Sequence, residues 1–397
     1  MPDANGKRHA VILSGGGASG AYEVGVLKGL FTGHSPATNY APLIPDVFAG
    51  TSIGAYNASL LVAEIDTRGP GAIDYLEDIW LDCLPQDDAT GHNFIMRYRA
   101  DPFEYFDPAF VFKNPLQGSL QVADDLAFFA QDLFNRGSVF FQSWDDIETR
   151  VLKLFDLSIL VSNDPQRRLI QETINFDSIC RSSKVLKIAT TNWSTGQLRI
   201  FDNEQLDTEQ GPKAILASTA IPGIFPQVEI EGEYYADGGV VMNTPLHLGI
   251  EAGADILHVI YLDPDVRAIP LLPVRNAIDT FSRLFAIQFA ATVNRDIAVA
   301  KQINEGLDVI EKVAGSGSVS GKDVRAFILV AKRLHNIADY SKYKKITIHR
   351  YQPRDTLKGV LGLLNFSRNK SATLIQQGLD DATSHNCKAS ECILAGA

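Results

Sequence analysis

Gly50-Thr51-Ser52-Ile53-Gly54 sets a serine between two glycines, where an apolar run gives way to a helix-spaced segment. A tight strand-to-helix turn of this kind exposes the hydroxyl, and the flanking glycines relieve crowding around the bent backbone. The helix that starts there favours negative charge on the oxygen. The chemistry this suits is acyl transfer with Ser52 as nucleophile; the competing reading is a serine that only caps the helix. A second pattern, Gly15-Gly16-Gly17-Ala18-Ser19-Gly20, directly follows another apolar run. Glycines there let backbone N–H groups turn toward an anion beside a helix N-terminus. The six residues also fit a dinucleotide fingerprint, which wants an acidic residue at the end of the next strand. Asp46 stands at the start of that strand, and Gly50-Thr51-Ser52 occupies its end. The third pattern is Asp237-Gly238-Gly239 after Tyr234-Tyr235, which alone reads equally as a turn. Together the three supply what acyl transfer needs: Ser52 as nucleophile, Asp237 as base, and the Gly15, Gly16 and Gly17 amides for the oxyanion.

The elements that must position these residues follow from periodicity. Residues 9–14 form a short apolar, β-branched run that predicts a buried strand, and 21–31 carry helical spacing. A second strand over 45–49 and a second helix over 53–63 repeat the order, which implies a parallel sheet covered by helices. The core resumes with strands over 185–190 and 197–202, a helix over 213–220, and a hairpin of 228–230 and 234–236 around Glu231-Gly232-Glu233. A helix over 246–252 and a strong strand over 256–262 come next. A long helix marked by Ile278, Phe281, Phe285, Phe289, Val293 and Ile297 leads to a flexible loop over 314–321. Then come a helix over 324–337, a strand over 345–349 and a closing helix near Leu374. Between Cys83 and Asp145 the rhythm is lost, and ten of the 21 phenylalanines lie between Phe94 and Phe141. That stretch reads as an insertion, either a satellite cluster or a cap over an apolar substrate. The expected architecture is one three-layer α/β/α domain over 9–383, with a central, largely parallel mixed sheet and a frayed tail over 384–397.

Composition narrows the partners. The 397 residues are 45% hydrophobic and 21% charged, ordinary for a globular protein. A formal charge of −11 argues against nucleic acid and gives no help toward anionic membranes. Any membrane contact would be peripheral, and apolar or locally basic. The four cysteines, Cys83, Cys180, Cys387 and Cys392, are scattered, which fits a reducing, cytoplasmic compartment. No signal peptide or membrane span is read. His385, Cys387 and Cys392 cluster near the C-terminus, but three ligands without a fourth do not make a structural metal site. No metal or organic cofactor is expected.

The three motifs, in this order, resemble those of the patatin-like phospholipases: a Gly-rich loop, then G-x-S-x-G, then a distant D-G-[GA]. Ala217-Ser218-Thr219-Ala220-Ile221-Pro222, Phe225-Pro226 and Asn243-Thr244-Pro245 agree with that family as well. The resemblance spans residues 9–264, more weakly to 383. It implies a lipid acyl hydrolase working through a Ser52–Asp237 dyad on a fatty acyl ester. The family's loop has Arg or Lys where this chain has Ser19, which weakens an inference to phospholipid more than one to ester hydrolysis. Two rivals remain: a non-catalytic lipid-binding descendant, and a Ser-His-Asp α/β-hydrolase using His247 or His258.

Overall fold

A computed structural model of the chain describes residues 6–85, 97–98, 161–222, 224–262, 344–353 and 366–395, with isolated positions between 287 and 307. Strand β1 (His9–Leu13) passes through a 3₁₀ turn (Gly17–Gly20) into α1 (Ala21–Phe31). Strand β2 (Val47–Thr51) leads straight into α2 (Ile53–Arg68). β3 (Val185–Asn192) and β4 (Leu198–Asp202) pair next, followed by α3 (Gln210–Ser218) and the hairpin of β5 (Val228–Ile230) and β6 (Glu233–Asp237). After these come α4 (Leu246–Glu251), β7 (Ile256–Ile260), β8 (Thr347–Tyr351) and α5 (Arg368–Thr383).

The strands form one sheet in the order β8-β7-β1-β2-β3-β6-β5, with β4 also paired to β3. The five strands from β8 to β3 are parallel to their neighbours, whereas β4, β5 and β6 join antiparallel. β1 at the centre is buried at every position, which is why its sequence is an unbroken apolar run rather than an alternating one. Its side chains still alternate between faces. Val11 and Leu13 join the cluster built by α1, α2 and α5, while Ala10 and Ile12 pack with Leu246 and Leu248 of α4. These are the two flanking layers of the expected α/β/α fold. The β5–β6 turn puts Glu231 and Gly232 both at positive φ, 55° and 81°, the two-residue geometry that suits a twisted hairpin.

α5 lies along α1, burying Leu374 and Ile375, and the Tyr22 hydroxyl donates to Asp381 Oδ2 at 2.8 Å. The segment after α5, expected to fray, instead folds back to the sheet edge: Ile348 and Ile393 exchange backbone hydrogen bonds of 2.7 and 3.0 Å. The Phe-rich stretch falls outside the described residues apart from its first few positions and Arg97–Tyr98. The expected loop over 314–321 and helix over 324–337 lie outside them too. Among the described residues, no helix is long and apolar enough to cross a membrane.

Candidate active site

Ser52 and Asp237 come together because two strands share one edge of β3. β2 runs beside β3 as far as the pair Thr51–Ala189, and β6 takes over at the pair Thr190–Asp237. β4 pairs with Lys187 through Thr191 and so occupies the opposite edge. Asp237 therefore sits just beyond the end of β2, beside the residue at which the chain turns into α2.

That residue is Ser52, at φ 55° and ψ −125°. A non-glycine residue at positive φ costs of order 1–3 kcal/mol and persists only where the surroundings enforce it. Here the Ser52 N–H donates to Ser218 Oγ at 2.9 Å, and the Ser218 hydroxyl donates to the Ala189 carbonyl at 2.7 Å. The turn is so tight that a Cβ on Gly50 would fall on the Gly54 carbonyl. Ser52 occupies the N-cap position of α2, yet its side chain does not cap the helix. Its hydroxyl instead lies close enough to the Asp237 carboxylate to favour that group's charged form.

Both side chains are almost fully buried, at 4% and 5% exposure. Burial pushes the Asp237 carboxyl up to about 7, partly opposed by the Ser52 hydroxyl and by the Gly239 N–H, which donates to Oδ1 at 2.7 Å. An exposed aspartate, near 3.9, is a weak base at neutral pH; one near 7 is matched to proton transfer there.

The glycine loop faces this pair across Asn243. The Gly15 N–H donates to the Asn243 backbone carbonyl at 3.1 Å, and Asn243 Nδ2 donates back to the Gly15 carbonyl at 3.2 Å. The Gly15 amide, one of the three donors expected from the sequence, is thus already bonded within the protein. Among the described residues, the Gly16 and Gly17 amides have no partner. Beneath the loop, Glu23 is fully buried and its carboxyl is pushed well above the usual range by that burial. Asn57 Nδ2 donates to it at 2.8 Å.

The histidines stand elsewhere. His258 is in the middle of β7, stacked between His9 and His349 with ring centroids 5.6 and 5.2 Å away. His247 lies on α4 with its Nδ1 buried. Neither has a hydrogen bond to Asp237 or Ser52 among the described residues. Reading the sequence alone singled out Ser218 and Asn243 only as matching neighbours. Their work as anchors of the elbow and of the loop depends on contacts 166 and 228 residues apart. Nothing local marks Glu23 at all.

A family model described as patatin-like phospholipase matches residues 11–250, which include the loop, Ser52 and Asp237. No curated protein matched the chain. Among solved structures, VipD from Legionella pneumophila is similar over 96% of this chain and 68% of its own, at 17% identity and a TM-score of 0.34. That likeness is too loose to carry an argument.

Proposed function

Because the chain belongs to the patatin-like phospholipase family, a family of lipid acyl hydrolases, we propose that it cleaves fatty acyl esters through a Ser52–Asp237 dyad. The observation that carries this reading is that register on one strand edge sets Ser52, at the strained turn, beside Asp237, a buried carboxylate of raised pKa. Ser52 Oγ attacks the ester carbonyl carbon while Asp237 takes its proton. The Gly16 and Gly17 amides donate to the oxyanion, which collapses as Asp237 returns the proton to the departing alcohol. Asp237 then deprotonates a water that attacks the acyl carbon, and passes that proton to Ser52 Oγ as the acyl–oxygen bond breaks, which frees the fatty acid and restores Ser52.

The acyl group is the recognised feature in this reading. Ser19 is uncharged where the family has a cation, so the loop offers no ion pair to a phosphate. Contact with a lipid surface is assigned to Trp193 and Tyr234, about half exposed beyond the end of β3 that flanks Ser52. Amphipathic rings of this kind favour the water–lipid boundary. The test is a panel of phospholipid, lysophospholipid and glyceride vesicles, reading released fatty acid. Release from at least one class is expected; none from any class, with folded protein, points to a non-catalytic lipid binder.

The oxyanion role has its own test. A Cβ on Gly16 would lie 2.7 Å from both Cβ and Cδ1 of buried Leu262, so Gly16→Ala must move the loop. Turnover is expected to fall roughly 10²–10³-fold, the usual loss for one donor, with KM little changed. Combining it with Leu262→Ala should restore part of the loss. Near-wild-type turnover in folded Gly16→Ala would remove the loop from the mechanism.

A further inference from the structure

The C-terminal segment and the edge strand β8 bring together four side chains that the acyl-transfer site does not use. His349 comes from β8, and His385, Cys387 and Cys392 from the segment after α5. One ligating atom from each lies within 4.8 Å of all the others. Cys387 Sγ is 3.5 Å from His349 Nδ1 and 3.6 Å from His385 Nε2, and Cys392 Sγ is 3.4 Å from the same Nε2.

We propose that His349, His385, Cys387 and Cys392 form a tetrahedral zinc site that clamps the C-terminal segment onto the open edge of the sheet. Bonds of about 2.3 Å to sulfur and about 2.0–2.1 Å to nitrogen put the sulfur–nitrogen edges of a tetrahedron near 3.6 Å. The three measured separations match that figure. Isolated thiol–imidazole hydrogen bonds would satisfy each sulfur with one ring, but here one imidazole nitrogen faces two sulfurs and one sulfur faces two imidazoles. The donor set of two thiolates and two imidazoles selects zinc by softness and by geometry.

The surroundings are those of a metal site. Both histidines are buried; the His349 ring stacks on His258, and His385 packs 4.6 Å from the Tyr351 ring, so neither is free to swing. The Arg350 backbone N–H points at Cys392 Sγ from 3.4 Å, a donor suited to a thiolate. Outer contacts of this kind hold ligands in place and tune them. Four protein ligands leave no open position, which makes the site structural rather than catalytic. The clamp also has a purpose. Between Ser384 and Leu394 only Ile393 is a buried apolar residue, too little to hold the segment, yet the segment covers an edge strand that would otherwise be open to pairing.

The site is three strands from β2, at about 4.8 Å per strand step, so its occupancy and acyl transfer are separable. The experiment is metal analysis of full-length protein purified under reducing conditions without chelator, followed by exchange of cobalt(II) for the bound ion. One zinc per chain is expected. The cobalt form should show thiolate-to-cobalt charge transfer and the intense visible bands of a tetrahedral site, and both should be lost in Cys387→Ser and in His349→Gln. Stripping the metal should lower Tm and expose the segment after residue 383 to protease, while turnover per folded chain stays within about twofold. Wild-type protein that retains no metal and gives no tetrahedral cobalt spectrum overturns the site. So does a Cys387–Cys392 disulfide in freshly reduced and purified protein, or full metal content in folded His349→Gln. If the variants do not fold, cadmium NMR of the substituted wild type decides the same question, since its shift reports how many sulfurs bind.

Discussion

Ser52→Ala should leave a folded protein whose turnover on a fatty acyl ester is lower by roughly 10⁵–10⁶, the scale for losing a nucleophile. A loss of this size follows from the proposed role of Ser52, whose oxygen would form the acyl-enzyme and which the strained turn and the bond of its N–H to Ser218 hold in place. Binding should survive, so KM or lipid affinity changes little while kcat collapses. Stability supplies a second readout. Ser52→Gly removes a residue held at φ 55°, so it is expected to unfold later than wild type, by about 1 kcal/mol, while remaining inactive. A folded Ser52→Ala with turnover near wild type, measured by released fatty acid, would mean that the elbow is structural.

Asp237→Asn is the second large effect, with turnover expected to drop roughly 10²–10⁴-fold. Asn keeps an oxygen for the Gly239 N–H, so the fold should be intact, but it cannot accept the Ser52 proton. Wild-type kcat/KM should rise with pH and level off above about 7, following ionisation of Asp237; the residual rate of the variant should lack that step. Stability must run the opposite way. A carboxyl near 7 in the folded protein and near 3.9 when unfolded binds more protons in the folded state between those values. Its stabilising contribution is therefore full below about pH 4 and is lost as pH rises through 7. Asp237→Asn has no such slope, and at pH 8 it should be the more stable protein, by an amount on the order of 1–4 kcal/mol. Denaturant titrations of both proteins at pH 5 and 8 check this. A variant less stable than wild type at pH 8 would mean that Asp237 is not a buried, disfavoured charge.

What the sequence made legible was whatever local periodicity and turn chemistry control. The β1–loop–α1 and β2–elbow–α2 units lie where apolar runs and glycines put them, and α1 keeps its expected bounds over 21–31. β2 is displaced two residues later than expected because Gly50 and Thr51 continue the ladder against Ile188 and Ala189 before the turn. The meeting of Ser52 and Asp237 was readable only through the order of the motifs. Its physical cause, two strands sharing one edge of β3, is a matter of register between segments far apart in the chain.

Contacts of that range account for the rest. Three glycines equivalent in sequence are not equivalent in space, since Asn243 takes the Gly15 amide and leaves its two neighbours. His385, Cys387 and Cys392 lacked a fourth ligand in sequence because His349, 38 residues before Cys387, reaches them only across a strand edge. Ser19, in place of the family's cation, was visible from the start, and it remains the reason to identify the substrate by its acyl chain rather than by a phosphate.

The most direct test of the dyad is to locate a covalent adduct after exposure to a fluorophosphonate, by peptide mass spectrometry alongside residual lipid hydrolysis. The dyad requires one phosphonyl group per chain, on Ser52, with activity lost in proportion to labelling. Labelling should be absent in Ser52→Ala and strongly slowed in Asp237→Asn. An adduct on any other residue, or lipid hydrolysis that continues with Ser52 fully modified, would contradict it.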